Sequence, residues 1–529
     1  MSTRKSAFSS ELVAAVVNAE EDNGRAAINS IEIDNLLWEN YFTVEHDFKD
    51  IGLDLNAVLG YSYQKFQSSG NSMTAADFRV TDLDLMLNNM TAANLTAVSN
   101  TFKTIDELQS YFTRINLTYK QKYYLTSTVR IDGSTRFGSD YAYGTFPSLA
   151  FKWKLSQEDF IPDFFSNLSL RAGWGNTGNQ DIAHDLYTRR QRYGSPSFNV
   201  QDGVVIPGGL ATVTFENQGL KWEETQQTSI GLEFGFLDNR LRGSIDYYNK
   251  TTTDMLVQLS AAEPAPQAFI WRNLDADVIN KGIEFDLTYD AIQNDDFGWT
   301  IAGNASFNEN TVENFDFGFL ETGSIKGQGL SGINVERIQN GHPLYAFYLP
   351  SFEGFDSDGN AIYGDTGFTG DKPLPTATAA LTNTLRYKNF DLNIFFAGQF
   401  GHSIYSNTAN SFFHAPAVSS GRNAPLEVLT GEERNTSSVN VSTRYLEKAD
   451  FVRLQDVTLG YKVNINENSP FSAVRLSLTG QNLFVITGYS GQDPEVNTNR
   501  SDNGVPSAGI DYTSYPRART FLLGVNVSF

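Results

Sequence analysis

"RTFLLGVNVSF", residues 519–529, ends the chain and divides by parity. Phe521, Leu523, Val525, Val527 and Phe529 fall on one side, and Thr520, Leu522, Gly524, Asn526 and Ser528 fall on the other. A period of two is the signature of a strand with one face in an apolar medium and the other in a polar one. The pattern recurs along the whole chain. In "IGLDLNAVLGYSY" (51–63), Ile51, Leu53, Leu55, Ala57, Leu59, Tyr61 and Tyr63 share a face, and in "KGIEFDLTYDA" (281–291) Ile283, Phe285, Leu287 and Tyr289 alternate with Glu284, Asp286, Thr288 and Asp290.

Composition agrees with a chain built of strands. Its 529 residues include 39 Phe, 24 Tyr and 43 Gly but only 16 Pro, a mixture that suits many strands with tight turns. A formal charge of −22 argues against a nucleic-acid partner, which would need a basic face. With no cysteine, neither a disulfide framework nor a thiolate metal site can form. No apolar run is long enough for a transmembrane helix. The opening "MSTRKSAFSSELVAAVVNAE" is broken by Glu11 and Asn18 and does not read as a signal peptide.

Alternation predicts about fifteen strands, at 38–48, 51–65, 110–119, 122–133, 143–154, 167–175, 222–236, 240–254, 281–291, 297–309, 376–388, 390–401, 451–463, 471–482 and 519–529. Residues 1–37 form a poorly defined N-terminal segment, an outer loop or a strand remnant, ahead of a barrel over 38–529. Short links, "FKD" (48–50), "KQK" (120–122), "LDNR" (237–240), "QNDD" (293–296) and "KN" (388–389), take turns with long ones at 66–109, 176–221, 310–375, 402–450 and 483–518. Strands joined this way are antiparallel neighbours, with turns at one end and long loops at the other.

A soluble sandwich would bury its apolar face, whereas a membrane barrel turns that face to lipid and its polar face to a wet lumen. Confinement of the long loops to one end favours the barrel, as does strand length, since a tilted span needs about 9–11 residues. Tyr61, Tyr63, Tyr119, Tyr123, Tyr247, Tyr289, Trp299, Tyr387 and Tyr461 cluster near strand ends, as interfacial aromatics do, although any one of them could be core filling.

Five motifs follow one another in order: "RIDGSTRFG" (130–138), "YGTFPSLAFKWKLSQEDF" (143–160), "NLSLRAGWGNTGNQDI" (167–182), "YLEKADFVRLQDVTLGYKV" (445–463) and "LTGQNLFVITGYSGQDPEV" (478–496). Their order and spacing resemble the C-terminal barrel portion of SusC/RagA-family (SusC-like) TonB-dependent outer-membrane transporters, from about residue 40 onward. The local chemistry of these motifs reads as structural. "DGS" (132–134) is expected to be a turn in which Gly133 tolerates positive φ, and in "GYSGQDPEV" Gly488 and Gly491 are expected to bend the chain while Asp493-Pro494 stops the strand.

The resemblance implies a 22-stranded barrel occluded by a plug, energised through the TonB complex, and capped by a SusD-like surface lipoprotein that helps capture oligosaccharides or peptides. This sequence shows no plug, TonB box, N-terminal extension or signal peptide. Because the last strand must end on the periplasmic side, the first of the fifteen runs downward, so at least one earlier upward strand is expected, with an even total, most simply about seven strands and the plug upstream of residue 1. The expected function is TonB-dependent nutrient import across the outer membrane of a Gram-negative bacterium, without enzymatic activity. The rival readings are a passive porin-like channel and a soluble β-rich glycan-binding protein.

Sites are sparse. His46, His184, His342, His402 and His414 lack ligand-like spacing, and no nucleophile elbow or phosphate loop occurs. "DSDGNAIYGD" places Asp356, Asp358, Asn360 and Asp365 around Gly359, oxygen ligands of the kind Ca²⁺ prefers but without the bidentate Glu of an EF-hand loop. A Ca²⁺ site in this outer loop and a plain turn are the two expectations, and no other cofactor is expected. "FFHAPAVSSGRN" (412–423) and "YTRRQRYGSPSF" (187–198) offer aromatics beside Arg, suited equally to substrate contact and to packing on a lid protein.

Overall fold

The computed structural model describes residues 2–8, 24–182, 190–193, 198–201, 204–207, 210–214, 217–261, 269–327, 329–419, 421, 423–435, 437, 439–466, 469–502 and 504–529. Alternating sequence gives one sixteen-stranded sheet, in chain order throughout: β1 (Ser2–Phe8), β2 (Arg25–Phe48), β3 (Leu53–Phe78), β4 (Ala93–Tyr119), β5 (Tyr123–Ser134), β6 (Tyr143–Lys154), β7 (Phe165–Asn179), β8 (Glu223–Phe236), β9 (Leu241–Thr253), β10 (Asp277–Gln293), β11 (Phe297–Glu313), β12 (Ala377–Tyr387), β13 (Phe390–Phe400), β14 (Phe451–Lys462), β15 (Ala473–Thr487) and β16 (Thr520–Ser528). Every neighbouring pair is antiparallel. The upward strand that direction-counting requires ahead of the first downward one is β1, paired through Ser2↔Ile31 to Phe8↔Arg25.

One face of this wall is apolar and uncovered. Ile283, Phe285, Leu287 and Tyr289 on β10, Ile245 and Tyr247 on β9, Phe307 on β11 and Phe521, Leu523, Val525, Val527 and Phe529 at the chain's end are all exposed. A sandwich would bury these side chains against a second sheet. The opposite face holds Glu233, Asp246, Glu284 and Asp286, which is the polar side of a membrane wall.

Aromatics form two rings on the apolar face. Near the turns, Tyr119, Tyr123 and Trp153 stack in series at 6.2 and 5.9 Å. Higher up, Trp38, Tyr61 and Tyr111 meet at 5.7 and 5.2 Å. Tyr111 precedes Tyr119 by eight residues of β4, a height of about 20 Å for a strand tilted by ~40°. That separation is somewhat less than the ~25 Å apolar band of an outer-membrane barrel.

The tight links are built by left-handed residues, including Lys120 and Gln121 (φ +49° and +56°) in "KQK" and Lys388 (φ +50°) in "KN". Strand limits depart from the sequence reading at the loop end. The strand expected at 38–48 begins at Arg25, and β3 and β4 run on to Phe78 and back to Ala93, so the long loop expected at 66–109 shrinks to residues 79–92. Beyond the membrane a hairpin needs no apolar face, so "QSSGNSMT" keeps pairing while its hydropathy pattern fades.

The remaining long connections fold upon themselves. Residues 314–376 carry a four-stranded sheet of Phe319–Ser324, Asn334–Gln339, Ala346–Phe355 and Ala361–Phe368. Ser403–Ser406 pairs antiparallel with Leu446–Lys448 of its own connection and parallel with Ile510–Asp511 of the last one, tying these two connections together, and residues of the 314–376 connection pack against them. Their shared core buries Ile325, Phe347, Tyr405 and Ile510 completely. A shell of this kind is a shaped surface rather than a set of free loops.

Candidate functional site

The lumen wall carries a ladder of alternating charge. Lys152 Nζ meets Glu233 at 2.5 Å, Arg171 Nε lies 3.2 Å from the other Glu233 oxygen, and Arg171 Nη2 donates to Asp246 at 2.8 Å. Strands β6 to β9 contribute these groups side by side because each sits at a lumen-facing parity. Above them opens a recess of about 660 Å³ lined by Arg171, Asp246, Tyr248, Lys250, Glu284 and Asn308 among others. Tyr248 donates to Asn308 Oδ1 at 2.8 Å and Asn308 donates to Asn280 at 3.3 Å. Such a wall offers polar partners to a hydrophilic solute or to another polypeptide segment, and it holds no nucleophile–base pair.

The sequence motifs interlock. Arg130 Nε pairs with Asp132 at 2.7 Å, while Arg136 of the same motif bonds Asp106 at 3.2 Å and the carbonyls of Gln180 and Ile182 at 3.1 and 2.9 Å in "GNTGNQDI". Arg453 of "DFVRLQDV", only 2% exposed, reaches Asp493 at 2.6 Å and Glu495 at 2.7 Å in "GQDPEV", and Arg517 caps Glu495 at 3.0 Å. Buried charges persist only when compensated in this way. These motif residues therefore brace the barrel rim against the loop shell.

One glycine expectation needs correction. Gly133 lies inside β5 without a positive φ, and it is glycine because a Cβ would stand 2.4 Å from the Tyr143 ring. Gly488 and Gly491 do sit at bends of the chain, without a positive φ, and a Cβ on Gly491 would stand 2.3 Å from the Tyr489 ring. Asp493 binds Arg453 and the amide of Glu495, and the strand has already ended at Thr487.

In "DSDGNAIYGD", Asp356 Oδ1 accepts from the amides of Asp358 and Asn360 at 2.9 and 2.8 Å, its Oδ2 accepts from Asn360 Nδ2 at 3.1 Å, and Gly359 takes φ +77°. The Asn360 amide, above all, holds the Asp356 carboxyl below the usual carboxylate range. Asp365 sits apart on the strand Ala361–Phe368. This is an Asx turn, and among the described residues no three His, Asp or Glu side chains are placed to hold a metal ion.

Of the two Arg- and aromatic-bearing stretches, 187–198 lies largely outside the described residues. In 412–423, Phe412 lies beside Tyr512 with ring centroids 6.3 Å apart, and His414 is buried. Sequence reasoning missed two loop features. Arg444 forms a two-point pair with Glu433 at 3.0 and 2.9 Å inside an aromatic cage of Phe352, Phe355 and Tyr445. Glu336 is buried at 1% exposure with only the Ala508 amide, 3.2 Å away, to bond it, so burial pushes its carboxyl well above the usual range. Neither has a local sequence signal, because each partner is distant in the chain.

Residues 8–483 match the model of the TonB dependent receptor-like, beta-barrel family. The chain belongs to this family. Similar proteins include the TonB-dependent receptor P3 of Formosa agariphila, 32% identical over 96% of this chain and 53% of the relative, and the TonB-dependent receptor SusC of Bacteroides thetaiotaomicron, 31% identical over 81% and 44%. The chain thus spans about half the length of these curated relatives. Its fold is shared with the RagAB peptide transporter, at a TM-score of 0.79 with 20% identity over 96% of this chain and 56% of that one. For this TonB-dependent receptor-like barrel, a lipid-facing apolar side and a lumen-facing charge ladder follow from family and geometry alike, and the soluble sandwich is set aside.

Proposed function

We propose that the chain is the outer-membrane wall and loop shell of a TonB-dependent importer in a Gram-negative bacterium, taking up oligosaccharides or peptides in company with a SusD-like surface lipoprotein. The observation that carries this reading is the pairing of an uncovered apolar face with a polar lumen wall beneath a folded shell of loops. A shaped shell can select a solute, and a charge-lined wall can pass a hydrophilic one. Similarity to the TonB-dependent receptors P3 and SusC supports importer over pore, and the fold shared with the RagAB peptide transporter keeps peptides beside oligosaccharides as cargo. Nothing in the described residues assembles a catalytic constellation, and the protein is proposed to act without chemistry on its cargo.

Uptake of labelled oligosaccharides and peptides by cells with and without the gene tests this directly. The importer reading expects gene-dependent uptake that stops when a protonophore collapses the inner-membrane gradient. Gene-dependent uptake that survives the protonophore would instead mark a passive channel.

A further inference from the structure

An arginine in the last long connection is placed unlike its neighbours. Arg337 and Arg444 of the loop shell and Arg453 at the rim, all largely buried, each meet a carboxylate, at 2.8, 2.9 and 2.6 Å. Arg500 meets none of the described ones, although the chain has 61 acidic side chains against 39 basic. Its guanidinium carbon lies 4.2 Å from the centroid of the Tyr512 ring, and its Nε is buried without an acceptor. The planar fork is thus held by an aromatic face, with no side-chain hydrogen bond to any described residue. Such a fork is preorganised for two-point pairing with an anion.

The ring it lies on is part of a larger aromatic stretch. Tyr512 neighbours Phe412 at 6.3 Å with planes 22° apart, and Tyr515, beyond the left-handed Thr513 (φ +49°), is 93% exposed. The main chain here is already satisfied. Arg500 N donates to Ser507 Oγ at 2.8 Å, Arg500 O accepts from Ser324 at 2.9 Å, Tyr512 N donates to Thr498 Oγ1 at 3.2 Å, and Thr513 N donates to Thr408 Oγ1 at 2.7 Å. An extended peptide is captured through free main-chain groups at a strand edge, and the main-chain groups of Arg500 and the amides of Tyr512 and Thr513 are already engaged. What remains is a half-buried guanidinium with no carboxylate partner among the described residues, lying on the Tyr512 ring.

We propose that Arg500, laid on Tyr512, forms with the exposed Tyr515 three residues further along the chain a subsite of the loop shell for sugar residues that carry a carboxylate. The inference rests on the oligosaccharide branch of the proposed function. The carboxylate takes the Arg500 fork, and a sugar ring lies on the exposed Tyr515 face, where its C–H surface leaves water.

The test is equilibrium binding of tri-galacturonate and of its methyl ester, which has the same rings without charge, to the full chain in detergent. The acid is expected to bind about tenfold more tightly than the ester, a difference typical of one charge-assisted pair. R500Q should remove that difference, R500K should keep part of it, and Y515A should weaken both ligands. Altered electrophoretic mobility on heating checks that each variant is folded; if R500Q fails this check, R500K decides by the size of the acid–ester difference. Equal binding of acid and ester, unaltered by R500Q, would overturn the anion subsite while leaving glycan import intact. Binding of neither ligand, or equally effective competition by an acidic hexapeptide, would also overturn it. The protonophore experiment judges the importer reading separately.

Discussion

At the scale of single residues, the account depends on buried charges that are compensated from far along the chain. Arg453 is 2% exposed and joins Asp493 and Glu495; Arg517 also pairs with Glu495, so R453A should leave the buried Asp493 carboxylate without a counter-charge. A loss of about 3–5 kcal/mol is expected, visible as a lowered unfolding temperature of the detergent-solubilised protein. An unchanged unfolding temperature would show that the rim does not need this brace. Glu336 works in the opposite sense. Burial raises its folded-state pKa, so its stabilising protonated form is fully present below the ordinary carboxylate range of ~4.3 and is lost as pH rises through the raised value. Unfolding of the loop shell, followed by proteolysis across a pH series, should become easier with rising pH, and E336Q should flatten that slope. None of this was legible beforehand, because "VERIQ" and "FVRLQ" carry no mark of the distant segments that receive their side chains.

Elements were the legible scale wherever a face met lipid. The end of the chain reads as a strand because lipid demands an apolar residue at every second position, and β16 pairs with β15 from Thr520↔Gln481 to Ser528↔Ala473. Legibility stopped at the membrane edge, where β3 and β4 continue in a polar sequence and where the sheet of the 314–376 connection hides among loop residues. Parity makes a sharp prediction for β16. L523K should destabilise the folded barrel by about 2–4 kcal/mol, whereas N526K, on the lumen face, should be nearly neutral in the same denaturant titration. Equal costs would deny the two faces their different surroundings. At the turn end, Glu158 accepts from Lys122 at 3.0 Å, Tyr123 at 2.8 Å and Trp153 at 3.1 Å, and these bonds, the one from Lys122 foremost, draw its carboxyl down to about 2. Its contribution is present above the ordinary range and lost as pH falls toward about 2, so E158Q should remove acid sensitivity from this turn and lower its stability at neutral pH toward that of the acid-protonated protein.

For the whole molecule, the central claim is that one sheet separates lipid from a polar lumen. Absence of native cysteine makes a direct measurement possible, since each introduced thiol is then the only one present. Single cysteines placed in turn at positions 283 to 289 of β10, in protein reconstituted into lipid vesicles, should react with a membrane-impermeant maleimide at every second site. Positions 284, 286 and 288 should be labelled and positions 283, 285, 287 and 289 protected, with the opposite ranking for a lipid-dissolved quencher read from a fluorophore on each thiol. Uniform labelling of all seven sites, or protection without alternation, would contradict the membrane wall and the function built on it.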